Sequence, residues 1–88
     1  MNSMNRAELF KSIIDIAERD TGENYQSITA NTSLRNEMGM DSVDVVSVVA
    51  TLERKFRVRF AQAELENIFT AGDVLDLLEQ KIVEKGQK

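Results

Sequence analysis

Apolar residues recur at helical spacing in three stretches of the chain. In the first stretch they form one face, made by Phe10, Ile13, Ile14 and Ala17 and widened by Leu9 and Ile16. Asn5 and Glu8 have the spacing of a capping box at the start of this face, and Thr21-Gly22 is a stop signal after it. The pattern predicts a first helix that ends near Asp20.

Residues 21–40 form a long connection in which the apolar residues are scattered rather than periodic. A connection this long in a compact domain is usually functional, unless it contains a short helix. The scattered apolar side chains predict a loop that is held against the core by Tyr25, Ile28, Leu34, Met38 and Met40.

The next segment carries conflicting signals. Five valines between residues 43 and 49 favour a strand by propensity. Helical spacing links four apolar residues, which are Val45, Val49, Leu52 and Phe56. Asp41 is a good N-cap, and Asp44 lies near the positive end of the helix dipole. We therefore predict a helix over residues 42–56.

Two further signals complete the pattern. Residues 61–69 predict a short third helix, and Thr70 with Asp73 has the capping spacing for a last helix that ends before Gly86. The apolar face of that last helix is predicted to contain Val74, Leu77, Leu78 and Ile82. The valines of the second helix and the set Phe56, Phe60 and Phe69 are expected to be core residues.

The predicted fold is all-α: a small four-helix bundle of three main helices and one short helix, with a long first loop. Its 88 residues allow a single domain. We expect a flexible N-terminal lead-in over residues 1–4, the helical domain over 5–83 and a flexible C-terminal tail over 84–88.

Composition excludes several functions. The chain has no Cys and no His, so a thiolate zinc site, a cysteine nucleophile and a Ser-His-Asp triad are impossible within it, and we predict no metal site. The net charge of −4 argues against nucleic acid as a partner. No apolar stretch is long enough for a membrane span, and Met1 to Phe10 lack the apolar core of a signal peptide. We expect a cytoplasmic monomer.

One place combines unusual features for chemistry. Ser42 puts a hydroxyl at the first turn of a helix, at the end of the long loop. The free N–H groups of a helix start favour negative charge, so a phosphate ester on this hydroxyl would be stabilised there. Gly39 keeps the approach open. Taken alone, Asp41-Ser42 is more simply a helix cap.

The segment from Leu34 to Val46 resembles the loop and second helix of acyl carrier proteins. Their pattern is Leu-Gly-x-Asp-Ser-Leu followed by an acid, and Met38 and Val43 stand here for the two leucines. Four positions match it: Gly39, Asp41, Ser42 and Asp44. The resemblance covers roughly residues 6–83 and includes Leu52-Glu53, Phe56, Phe60 and Thr70.

This resemblance implies a carrier and not an enzyme. Ser42 would be the attachment site of 4'-phosphopantetheine, transferred from coenzyme A by a phosphopantetheinyl transferase. The arm would hold acyl intermediates as thioesters in fatty-acid, polyketide or related biosynthesis and present them to acyl-transferring and condensing enzymes. Its thiol would also account for a thioester carrier that has no Cys.

The resemblance also suggests supporting roles. Asp41 would cap the second helix and orient the serine, with Gly39 in the approach. An acyl chain would be sheltered in the core beside Val46, Leu52 and Ile68. Partner enzymes would contact Met40, Val43, Asp44, Ser47 and Arg54, although Met40 is also a candidate for simple packing. Two alternatives stay open: an aminoacyl or peptidyl carrier of a nonribosomal pathway, and an unmodified helical protein-interaction module.

The charge of the second helix departs from the family. Carriers of fatty-acid synthesis usually have an acidic second helix that meets basic patches on their enzymes. Between Ser42 and Phe60 this chain has two acids and four bases, so the segment carries +2 and the rest of the chain −6. The bases are Arg54, Lys55, Arg57 and Arg59. They indicate either a specialised carrier with dedicated enzymes or a solvated helix end.

Overall fold

Four helices form the part of the chain that the computed structural model describes, residues 5–86. Their bounds are α1, Arg6–Thr21; α2, Ser42–Phe56; α3, Gln62–Leu65; and α4, Ala71–Gly86. The predicted all-α bundle with a long first loop is confirmed, and α2 has the predicted bounds. Within residues 5–86 the β-type pairing is limited to one isolated bridge, between Ser33 and Thr70. No helix in that range is long and apolar enough to cross a membrane.

The helix starts follow from the capping residues in the sequence. The Asn5 side chain accepts a hydrogen bond from the Glu8 amide at 2.8 Å, and the Asn5 amide donates to Glu8 Oε1 at 3.0 Å. At the start of α4, Thr70 Oγ1 accepts from the Asp73 amide at 3.1 Å, and the Thr70 amide donates to Asp73 Oδ2 at 3.0 Å. Both predicted caps are confirmed.

The core lies where α1 packs against α2 and α4. Leu52 of α2 and Leu78 of α4 are fully buried at its centre. The long loop contributes three of the buried apolar side chains, Leu34, Met38 and Met40. Apolar burial of this kind is the main stabilising term of a domain this small.

Backbone hydrogen bonds hold the long loop on the start of α4. The Leu34 amide donates to the Phe69 carbonyl at 2.9 Å, and the Gly72 amide donates to the Ala30 carbonyl at 2.8 Å. A third bond joins the Ala71 amide to the Thr32 carbonyl at 3.0 Å. The contact at Gly72 leaves no space for a side chain, since an added Cβ would lie 2.7 Å from the Ala30 oxygen. The prediction of a loop held against the core is confirmed.

The short helix differs from its predicted extent of residues 61–69, because α3 ends at Leu65. Two tight turns follow it, in which the Asn67 and Ile68 amides bond to carbonyls three residues back. The Phe69 amide then donates to Asp73 Oδ2 at 2.9 Å, so the chain must leave the helix to cap α4.

Of the expected lead-in and tail, the structure describes only residues 84–86. Residues 1–4 of the expected lead-in and residues 87–88 of the expected tail lie outside the described range. Residues 84–86, which were assigned to the tail, form the last turn of α4. The helix therefore runs up to and includes Gly86, where a stop was expected.

Candidate functional site

Ser42 is the first residue of α2, and its position is set by a reciprocal cap around it. Asp41 Oδ1 accepts a hydrogen bond from the Asp44 amide at 2.9 Å, and the Asp41 amide donates to Asp44 Oδ2 at 3.3 Å. This capping box fixes the backbone on both sides of the serine. The predicted capping role of Asp41 is confirmed by this geometry.

The hydroxyl of Ser42 is exposed, and among residues 5–86 it takes part in no hydrogen bond. In the same range the amides of Ser42 and Val43 also have no partner. Two unused donors and the positive end of the α2 dipole therefore lie next to the hydroxyl, an arrangement that favours a phosphate oxygen.

The loop reaches the serine through one left-handed residue between two buried anchors. Gly39 has φ +69, and a Cβ there would meet nothing within 4 Å. Met38 and Met40 on either side are 5% and 3% exposed. Because Met40 is buried, the structure shows the packing role for this residue, and little of it is available to a partner. Gly39 thus supplies the turn between the core and the surface.

A surface groove of about 580 Å³ begins at Ser42. It lies between the long loop, α2 and α3, and its lining includes Asn36, Ser42, Val46, Gln62, Ile68 and Phe69. Phe69 was expected in the core but is 65% exposed. The Phe69 amide donates to the Asp73 carboxylate and its carbonyl accepts from the Leu34 amide, while the neighbouring Ile68 is buried.

A second cavity lies inside the bundle, between α1, α2 and the loop. It has apolar walls and about 10 Å³ of space for the centre of a water-sized sphere, so it holds one water at most. Of the three residues predicted to line an acyl pocket, Val46 and Ile68 line the surface groove. Leu52 is fully buried and lines neither space.

The other predicted contact residues lie along the exposed side of α2. Val43 is 74% exposed, and Val46 is 54% exposed. The prediction that these two valines belong to the core is therefore wrong. Ser47 Oγ donates to Asp20 Oδ2 at 3.0 Å. Asp44 is half-buried and belongs to the capping box, whereas Arg54 is exposed and donates to Thr51 Oγ1 at 3.3 Å.

Across residues 5–86 no acidic cluster has the geometry to hold a metal ion.

The fold and this site define a small helical domain that presents one serine hydroxyl at a helix start, beside a groove. Comparisons with known proteins agree. The family model described as "Phosphopantetheine attachment site" matches residues 11–78. An acyl carrier protein of Saccharopolyspora erythraea is 38% identical over 84% of this chain and 78% of its own length. One from Thermotoga maritima is 32% identical over 88% of this chain and 95% of its own.

Solved structures give the same result. The crystal structure of an acyl carrier protein from Thermotoga maritima superposes with a TM-score of 0.86 at 26% identity, over 96% of this chain and 98% of that one. The chain belongs to the acyl carrier protein family. It is a carrier and not an enzyme, and its cofactor is 4'-phosphopantetheine.

The groove residues suit that cofactor. The arm has a phosphodiester, two amides, a pair of methyl groups and a terminal thiol. The unused amides of Ser42 and Val43 match the phosphodiester, and the side chains of Asn36 and Gln62 can hydrogen-bond the amides. Apolar contact for the methyl groups comes from the groove walls, which include Val46, Ile68 and Phe69.

Proposed function

We propose that Ser42 carries the 4'-phosphopantetheine arm and that the protein presents acyl intermediates to enzymes of fatty-acid, polyketide or related biosynthesis. One observation carries this assignment: an exposed, unbonded hydroxyl on the first residue of α2, at the mouth of the groove. The chain has no Cys and so no thiol of its own. When bound, the arm supplies the thiol that forms the thioester.

The residues around the serine have separate tasks in this proposal. Asp41 and Asp44 hold the helix start in place through their capping box. The amides of Ser42 and Val43 stabilise the phosphodiester charge, which the α2 dipole also favours. Asn36 and Gln62 orient the arm along the groove.

The partners in this proposal follow from the same site. A phosphopantetheinyl transferase must reach the Ser42 hydroxyl, and acyl-transferring and condensing enzymes must reach the end of the arm. Val43 and Val46 are exposed beside the serine and offer apolar contact to these enzymes. The cytoplasmic location and the monomeric state stay predictions.

Intact mass tests the attachment site. The protein is incubated with coenzyme A, magnesium and a broad-specificity phosphopantetheinyl transferase. We expect the wild type to gain one phosphopantetheine and Ser42→Ala to gain none. Ser47→Ala is the matched control, because it removes another hydroxyl of α2, and it should be modified like the wild type.

An equal mass gain by Ser42→Ala would overturn the assignment. Protein purified from its own cells provides the second readout. If that protein never carries the added mass, the unmodified interaction module becomes the better explanation. Loading assays with amino-acid-activating and acyl-activating enzymes separate an acyl carrier from an aminoacyl carrier.

A further inference from the structure

Three arginines surround a second surface groove, at the end of α2 opposite to Ser42. This groove measures about 580 Å³ and is lined by Ala50, Glu53, Arg54, Arg57, Val58, Arg59 and Phe60. We call it the arginine groove. Its three arginines are exposed, and within residues 5–86 none of them forms an ion pair. Their positive charge is therefore available to a partner.

The acid in the arginine groove is already in use. Glu53 is half-buried, and its Oε2 accepts a hydrogen bond from the Phe60 amide at 2.8 Å. This bond holds the chain that turns back after α2. Val58 and Phe60 are each 8% exposed, so they belong to the core. The exposed charged groups of the arginine groove are therefore its three guanidinium groups.

Arg57 occupies a position where glycine is the ordinary residue. It follows α2 in the left-handed conformation, with φ 59 and ψ 51. The equivalent position after α1 is Gly22, at φ 78. A side chain costs stability in this conformation, and glycine does not. A charged residue in such a conformation points to a function for the side chain.

The arginine groove continues the surface that leads from Ser42. Val43, Ser47, Ala50 and Arg54 are spaced at i, i+4, i+7 and i+11, so they form one stripe along α2. Arg54 lies twelve residues after Ser42, or about 18 Å along the helix axis. An enzyme that covers this stripe to reach the serine also meets the arginine groove.

We propose that the arginine groove is a docking site for a cluster of Asp and Glu side chains on the surface of a partner enzyme. This inference rests on the proposed function, since the enzyme is one that acts at Ser42. Guanidinium groups bind carboxylates through paired hydrogen bonds, which fits three arginines around one depression. An anionic membrane or a nucleic acid fits less well, because the rest of the chain carries −6.

A titration followed by amide chemical shifts tests the docking site on the full chain. The probe is a peptide of six glutamates, with a peptide of six glutamines as the uncharged control. We expect shifts confined to residues 50–60 that vanish at high salt. Arg54→Glu combined with Arg59→Glu should weaken binding by about tenfold or more. Lys55→Glu is the matched control: Lys55 lies outside the arginine groove, over the Phe56 ring at 5.7 Å, and its reversal should change binding far less.

Arg57→Gly gives a readout that damage to the fold would not produce. It should bind the glutamate peptide more weakly while it melts at a higher temperature than the wild type. Ser42→Ala separates this proposal from the attachment site, because it should bind the peptide normally whether or not Ser42 accepts the arm.

Four results would overturn the proposal. Shifts spread evenly over all the basic residues, or equal weakening by Lys55→Glu, would show a general charge effect. Stronger binding to phosphatidylglycerol vesicles than to the peptide would favour a membrane surface. Shifts at residues 50–60 that grow with protein concentration and exclude the peptide would favour a second copy of this chain.

Discussion

The start and the end of α2 differ in residue choice, backbone conformation and charge. At the start, Asp41 is among the best N-cap residues and shares a reciprocal cap with Asp44. At the end, Arg57 takes the left-handed conformation that Gly22 takes after α1. The start is built for a stable and well-defined backbone. The end keeps a charged side chain although glycine would make the helix more stable.

This difference shows that the two ends of one helix face different requirements. Under the proposed function, the start holds Ser42 in a fixed position and leaves the amides of Ser42 and Val43 open for an anion. The end needs only a residue that terminates the helix, so the side chains there can differ in charge without disturbing Ser42. A partner that docks along α2 therefore meets acids beside Ser42 and arginines at the far end.

The largest expected effect comes from the buried middle of α2, which both ends share. Leu52 is 0% exposed, so Leu52→Ala should cost about 2–5 kcal/mol of unfolding free energy through lost burial and a cavity. Chemical denaturation measures this cost. Val46→Ala is the control, because Val46 is 54% exposed and should change stability by less than about 0.5 kcal/mol. Equal costs would mean that the caps, and not the packed face, hold the helix.

Charge reversal at the end of α2 should change partner choice. A malonyl transferase of fatty-acid synthesis that serves carriers with an acidic second helix should load the modified wild type slowly. Arg54→Glu should raise the transfer rate by about tenfold at low salt, and added salt should reduce the gain. Ser47 is left unchanged, because a glutamate there would face Asp20. If the wild type is loaded as fast as a carrier with an acidic second helix, the arginines do not affect partner choice and only solvate the end of α2.

Loss of the cap at the start of α2 should affect both stability and modification. Asp41→Ala should cost about 1 kcal/mol and slow the transferase, since the serine then lies on a frayed helix start. Thermal melting and a time course of intact mass measure the two effects. Asn5→Ala removes the equivalent cap of α1 and should cost a similar amount without slowing modification. Equal modification rates for Asp41→Ala and Asn5→Ala would show that the Asp41 cap is not needed for modification of Ser42.

Lowering the pH should destabilise the packing of α3, which lines the groove that begins at Ser42. Glu64 of α3 pairs with Lys81 at 2.8 Å, and its hydrogen bonds to Lys81 and the Ala61 amide lower the pKa of its carboxyl group. The folded pKa lies below the unfolded one, so the pair stabilises the fold at neutral pH. That contribution is lost as the pH falls through the folded pKa. The α3 amide shifts should follow this titration, and those of Glu64→Gln should not.

The sequence predicts the helices well because their signals are local. Valine propensity favoured a strand for residues 43–49, yet the cap at Asp41 and the apolar spacing of α2 correctly indicated a helix. The capping pairs of α1 and α4 are likewise visible within four residues. α3 was predicted too long because its end is set by Asp73, which captures the Phe69 amide from the next helix.

The site could be predicted only at its centre. Ser42, Asp41 and Gly39 lie in one short motif, whereas the groove brings together side chains from the long loop, α2 and α3. No local signal shows that Phe69 is exposed, whereas the burial of Met40 agrees with the predicted packing of the loop against the core. The left-handed conformation of Arg57 was also hidden, because arginine rarely takes it and the sequence shows only a run of bases.

The hydrogen bonds between the long loop and the start of α4 have a consequence for how the serine comes to be presented. The loop precedes Ser42 in the chain, but its partners at Phe69, Ala71 and Gly72 are synthesised later. The residues around Ser42 are therefore synthesised before the contacts that hold the preceding loop on α4 can form. Under the proposed function, the transferase therefore meets a serine whose helix cap is local but whose loop is held in place only in the folded chain.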